Sequence, residues 1–99
     1  MYRALVMFPK SAGGARVDTL VEGIHASFTA TAGFLAISRS AGALMGPGAK
    51  AGDVGWILEA DFDSLEDVMA ALHADSFQEW KTATESVGAT IFLFEVAAG

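Results

Sequence analysis

Two histidines, a pair of carboxylates beside an arginine, and a set of aromatic side chains are the residues of this 99-residue chain that could do chemistry. His25 falls late in a helical apolar stripe, about 80° from its centre at ~100° per residue. A polar head there reaches the rim of a cavity beneath the helix. An imidazole titrates near neutrality, so His25 could act as a general base or hydrogen-bond a phenolate. The competing reading is a boundary histidine bonded to a backbone carbonyl. His73 has the same helical phase, but its place before Ala74-Asp75 suits a cation at a helix C-terminus. A metal site would need a third ligand, and the two histidines lie far apart with no His-x-x-x-His spacing. No metal is expected.

Glu59 and Asp61 share a strand face with Ile57, and Arg39 lies on the strand expected to pair with it. A carboxyl group inside an apolar cavity holds its proton more tightly and could serve as a base. An Arg39–Glu59 ion pair is the structural alternative and the favoured one. Trp56, Phe62, Phe77, Trp80 and Phe94 could line a pocket for a flat aromatic ligand, or could simply fill a core. The candidate site is therefore His25 as catalytic base, with Arg39, Trp56, Glu59, Phe62 and Trp80 binding substrate. There is no Ser/His/Asp triad, P-loop or Gly-x-Gly-x-x-Gly turn, and Gly46-Pro47-Gly48 is a turn rather than a phosphate cradle. No cofactor is expected.

The elements that must position these residues follow from periodicity. Tyr2 to Phe8 reads as a strand, with Tyr2, Ala4, Val6 and Phe8 on one face and Leu5 and Met7 on the other. Pro9 ends it. Val17, Leu20, Val21, Ile24 and Phe28 form the stripe of an amphipathic helix, and Gly33 is a stop. Phe34 to Ser40 is a second strand. The glycine-rich stretch Gly42 to Gly52 is the candidate for a mobile lid. Val54 to Phe62 is a third strand, with Val54, Trp56, Leu58, Ala60 and Phe62 on one face. Ser64, with Asp67 three residues on, caps a second helix striped by Leu65, Val68, Met69 and Leu72. Ser76 with Glu79 forms a capping box that starts a third helix carrying Phe77, Trp80 and Val87 inward. Gly88 stops it, and Ala89 to Val96 is the last strand. Val17, Leu20, Val21, Ile24 and His25 are echoed by Leu65, Val68, Met69, Leu72 and His73. The fold class is α+β, a single ferredoxin-like βαββαβ domain over residues 1–99 with a four-stranded antiparallel sheet.

Composition bounds the partners. Hydrophobic residues make up 53% of the chain, and the net charge is −6. With no basic cluster, nucleic acid and anionic membrane surfaces are not expected partners. There are no cysteines, which excludes disulfides and thiol catalysis. The N-terminal apolar run is too short for a signal peptide, and no segment approaches a membrane span, so a soluble cytoplasmic protein is expected. Helices cover one face of such a sheet, while the strands carry apolar residues on both. Burying the second face against an identical chain, a homodimer through the sheet face, is the simplest remedy.

With these elements in place, the chain resembles the dimeric α/β barrel superfamily, and within it the EthD-like proteins. The resemblance rests on His25 late in the first helix, then Ala32-Gly33 and Phe34 opening the second strand, and on Phe62-Asp63-Ser64-Leu65-Glu66 leading into the second helix. Ala74-Asp75-Ser76-Phe77-Gln78-Glu79-Trp80 is similar to the matching helix of the antibiotic-biosynthesis monooxygenase-like branch. The usual Tyr pair before the histidine and the proline after it are replaced here by Leu20-Val21 and Ala26-Ser27. The resemblance implies a homodimer with a cavity in each subunit. It does not fix an activity; His25 at a cavity edge, the aromatic residues and the glycine-rich stretch point to binding of a small aromatic or polyketide-like molecule, or to cofactor-free oxidation, cyclisation or proton transfer upon it. The alternative is a non-catalytic small-molecule-binding or accessory homodimer. A haem-handling role is a distant third reading, since nothing in the sequence fixes iron.

Overall fold

Eight residues from Tyr2 to Pro9 alternate between full and partial burial, as a strand between two unlike environments does. This is β1. A 3₁₀ turn at Lys10–Ala12 leads into helix α1, Gly14–Thr29, followed by β2, Phe34–Arg39, and β3, Val54–Phe62. Helices α2, Leu65–His73, and α3, Asp75–Ser86, precede β4, Thr90–Glu95. The computed structural model describes residues 1–45 and 54–97. Most of the expected glycine-rich lid therefore lies outside the described residues.

The strands form one antiparallel sheet in the order β2-β3-β1-β4. The α+β ferredoxin-like arrangement expected from the sequence is present. All three helices lie on one side. The principal extents are 38 × 34 × 18 Å, and the smallest is the thickness of one sheet and one helix layer.

The core sits between these layers. Ala4, Val6 and Phe8 from β1 and Leu58, Ala60 and Phe62 from β3 meet Val17, Leu20, Val21, Ile24 and Phe28 of α1, all buried. Val68 and Ala71 of α2 and Phe77 of α3 complete it. Phe28 is its hub. Its ring centroid lies 5.6 Å from that of Phe62, edge-on, and 4.9 Å from that of Phe77. Offset and edge-to-face geometries suit the ring quadrupoles.

Local chemistry explains the joints. The Ser64 hydroxyl accepts from the Asp67 backbone N–H at 3.2 Å and donates to its carboxylate at 2.9 Å, so α2 is capped as expected. Gly33 adopts φ +78°, and a Cβ there would overlap Asp67. Its carbonyl accepts from the Asp63 N–H at 2.9 Å, which ties the start of β2 to the start of α2.

Two expectations are corrected. Helix α3 begins at Asp75, with Ala74 as N-cap and no side-chain cap bond. Ser76 is already inside the helix, and its hydroxyl pairs with that of Ser27 at 2.8 Å rather than closing a box with Glu79. The Arg39–Glu59 ion pair does not form. The register of β2 against β3 slips between Phe34 and Ala36, so Ile37 and Arg39 oppose Ala60 and Leu58 on the helix side. Arg39 there donates to Asp18 of α1 at 2.8 Å.

Candidate functional site

Helix α1 has three flanks, and the candidate site residues divide among them. One flank carries Val17, Val21, Ile24 and Phe28 onto the sheet. A second carries Arg16, Leu20, Gly23 and Ser27 toward α3, where Ser27 meets Ser76 and Gly23 meets Trp80. The third carries Asp18 and, two turns on, His25, which share a direction to within about 20° at 100° per residue. Asp18 bonds Arg39 of β2, so this flank borders the β2 edge.

His25 is exposed there, on the far side of α1 from Trp80. Its backbone carbonyl accepts from the Thr29 hydroxyl at 2.9 Å. His73 is exposed too, its Nδ1 lying 2.8 Å from the Met69 carbonyl at the last turn of α2. Among the described residues, no group of three or more His, Asp or Glu side chains could hold a metal ion.

The aromatic residues do not converge. Phe62 and Phe77 are fully buried in the core, and Phe34 packs edge-on to Phe62 with centroids 6.0 Å apart. Trp56 is half-buried near Gly14 at the start of α1. Phe94 is on the opposite sheet face. Of the expected substrate-binding residues, Trp80 lines a hollow.

That hollow is a groove of about 500 Å³ between α1 and α3. Ala15, Arg16, Thr19 and Leu20 form one side and Trp80 and Ala83 the other. Two small residues create it. Ala83 leaves space beside Leu20, and Gly23 lets the indole of Trp80 approach α1 closely. A Cβ at Gly23 would overlap that ring. Gly23→Ala is accordingly expected to cost about 1–3 kcal/mol, as overpacking does, and to red-shift the Trp80 fluorescence. Urea denaturation and emission spectra, read in a Trp56→Phe background, check this. Unchanged stability and emission would contradict the packing described.

Arg16 and Thr19 are the polar side chains of the groove. The Thr19 hydroxyl donates to the Ala15 carbonyl at 3.3 Å and keeps its acceptor lone pairs. Arg16 makes no ion pair among the described residues. The ion pairs there belong to Arg3, Arg39 and Lys81.

The sheet face away from the helices is a second distinctive surface. Leu5, Met7, Ile57, Phe92 and Phe94 populate it, with Phe92 47% and Phe94 41% exposed. Arg3 stands among them. It donates through Nε and Nη2 to both oxygens of Asp61, at 2.7 and 3.2 Å, and lies 3.9 Å from Glu59. Glu59 is thus partnered by Arg3, not Arg39. The Asp61 hydrogen bond raises the Arg3 pKa, burial opposes it, and the charges of Asp61 and Glu59 add to the rise. A raised cation pKa contributes stability below its unfolded value and loses it only at strongly alkaline pH, so Arg3 stays charged throughout the working range. A smaller hollow of about 210 Å³ lies at the end of this face, among Met7, Pro9, Val54, Gly88, Thr90 and Phe92.

Reading the sequence singles out Trp80, which lines the groove, and the apolar second face; it pairs Glu59 with Arg39 instead of Arg3 and misses Arg16, Thr19 and the groove. Arg3 does leave a signal there. It occupies the same strand face as Leu5 and Met7, and antiparallel pairing sets it opposite Asp61.

No family model matches the chain, and no curated protein matches it. Solved structures do match in fold. A mutant form of SnoaB, a cofactor-independent oxygenase from Streptomyces nogalater, superposes with a TM-score of 0.73 at 16% identity, covering 99% of this chain and 94% of that one. A protein of the ethyl tert-butyl ether D family from Bacillus halodurans gives 0.72 at 17% identity, covering 98% and 99%. A dimeric ferredoxin-like protein of unknown function from a Jannaschia species gives 0.74 at 14% identity, covering 96% and 98%. The chain therefore shares the ferredoxin-like fold of these structures. Identities this low leave the activity to be argued from the site. No helix among the described residues is long and apolar enough to cross a membrane.

Proposed function

We propose that this protein is a two-fold homodimer, joined through the open sheet face, that binds a small flat apolar molecule in the α1–α3 groove of each subunit. The groove is the observation that carries this reading. Its volume of about 500 Å³ suits a molecule of two or three fused rings. Trp80 supplies a stacking wall, Leu20, Ala15 and Ala83 supply apolar contact, and Arg16 and Thr19 supply polar contact at one side.

Binding is favoured over turnover by the separation of the groove from the histidine. Arg16 and Thr19 make no acid–base pair, and His25 is on the opposite flank of α1. The likeness to a cofactor-independent oxygenase supports small-molecule use of this fold and does not supply a base.

The dimer is supported by Phe92 and Phe94, large apolar side chains about half exposed beside Leu5 and Met7. Leaving them in water costs about 25 cal/mol per Å². A second copy of the same face removes that cost for both chains. The dimeric name of the Jannaschia relative in fold agrees with this arrangement.

The test of the groove is calorimetric titration with 2-naphthol. Trp80→Ala is expected to weaken binding about tenfold, the loss of a stacking wall and its buried area. Trp56→Phe, away from the groove, and His25→Ala, across the helix, are each expected to change it by no more than about twofold. Equal binding by Trp80→Ala and the parent protein would refute the assignment.

A further inference from the structure

The polar side of the groove is formed by Arg16 and Thr19. We infer that the molecule held between α1 and α3 carries a carboxylate or comparably acidic group, placed at Arg16 and Thr19 while its ring lies along Trp80. This inference rests on the groove being the binding site.

Charge distribution carries the argument. The chain has 12 acidic and 6 basic residues, so an arginine without an acidic partner stands out. Arg3 is bound by Asp61, Arg39 by Asp18 and Lys81 by Glu85. Arg16 makes no such pair among the described residues, and no acidic side chain lines the groove with it. A guanidinium offers a flat fork that fits a carboxylate through two parallel hydrogen bonds. Thr19, three residues along the same helix, can turn its hydroxyl from the Ala15 carbonyl to donate to the same anion.

The surrounding backbone points the same way. Arg16 is in the first turn of α1, whose N-cap is Gly13, with no side-chain cap and no acidic residue in that turn. The first turn of α2, by contrast, holds Glu66 and Asp67 under the Ser64 cap. The N-terminal N–H groups of α1 thus add positive potential beside Arg16 that no nearby carboxylate of its own turn offsets. Trp80 and Leu20 supply the apolar wall along which the ring lies. The result is a site with an apolar body and a cationic end, suited to a planar aromatic acid.

The experiment compares 2-naphthoate with its neutral isostere, 2-naphthamide, by calorimetric titration of the full chain, with the Trp80 indole N–H resonance locating the probe. The acid is expected to bind about tenfold more tightly than the amide, the worth of one charge-assisted interaction. Arg16→Ala is expected to remove that preference, with the acid losing about tenfold more affinity than the amide. Arg16→Lys is expected to restore part of the preference, because a point charge replaces the fork. Equal binding of acid and amide, with the indole resonance shifting for both, would overturn this inference and leave the groove assignment standing. Failure of both probes to move that resonance would remove the two together.

Discussion

Phe92→Glu is expected to turn the proposed dimer into folded monomers, weakening association at least about a hundredfold. Phe92 is 47% exposed on β4 and opposes Leu5 across the sheet, in the row that continues to Glu59 on β3. In the subunit alone the change is a surface substitution, worth about ±0.5 kcal/mol. In the dimer it places an unpaired carboxylate between two apolar faces and near an existing one. A buried charge without a partner costs about 3–5 kcal/mol. At about 1.4 kcal/mol per factor of ten, about 3 kcal/mol is already a hundredfold. Light scattering at micromolar concentration checks the mass, and circular dichroism checks the fold. A variant that keeps the mass of two chains would show that the open sheet face is not where the subunits meet.

The second large effect concerns the core. Phe28→Ala is expected to lower the unfolding free energy by about 3–5 kcal/mol, the range for emptying a buried aromatic site. Phe28 is fully buried and joins three elements. It rides on the α1 stripe and packs against Phe62 on β3 and Phe77 on α3. No single neighbour can collapse into the space without moving a strand or a helix. Domains of this size have about 5–15 kcal/mol in total, so the variant should remain folded but melt much earlier. Urea denaturation of the variant and parent at equal concentration measures it. A loss below about 1 kcal/mol would mean that the sheet and helices are not joined through this ring cluster.

The sequence discloses whatever a regular period writes into it. Val17, Leu20, Val21, Ile24 and Phe28 recur at helical spacing, and all five are buried. Val54 to Phe62 alternates at period two, and those are the bounds of β3. Ser64 before Leu65 marks a helix start through the chemistry of its hydroxyl, and the cap is there. The side of Arg39 is not legible in this way. One extra residue near Leu35 reverses the alternation, and a bulge of that kind is set by the partner strand rather than by the residues themselves. The first turn of α3 escapes for a related reason. Ser76 can cap locally or bond across to Ser27, and tertiary contact decides it.

The groove requires knowledge of which flank of α1 meets α3. Gly23 and Ala83 are its traces in the sequence, small residues where two helices approach. Helical phase also separates His25 from Trp80, a separation visible only once α3 is set beside Leu20 and Gly23 rather than beside Asp18. Aromatic residues that suggest one pocket by their types alone prove to serve the core, the open sheet face and the groove in turn.

The most direct measurement is an amide and indole chemical-shift map of the parent protein titrated with 2-naphthoate. Binding in the groove predicts shifts at the Trp80 indole, along Ala15 to Leu20 and at Ala83, with the β4 residues Phe92 and Phe94 unmoved. Shifts gathered on β4 or around His25, with the Trp80 indole unchanged, would contradict it.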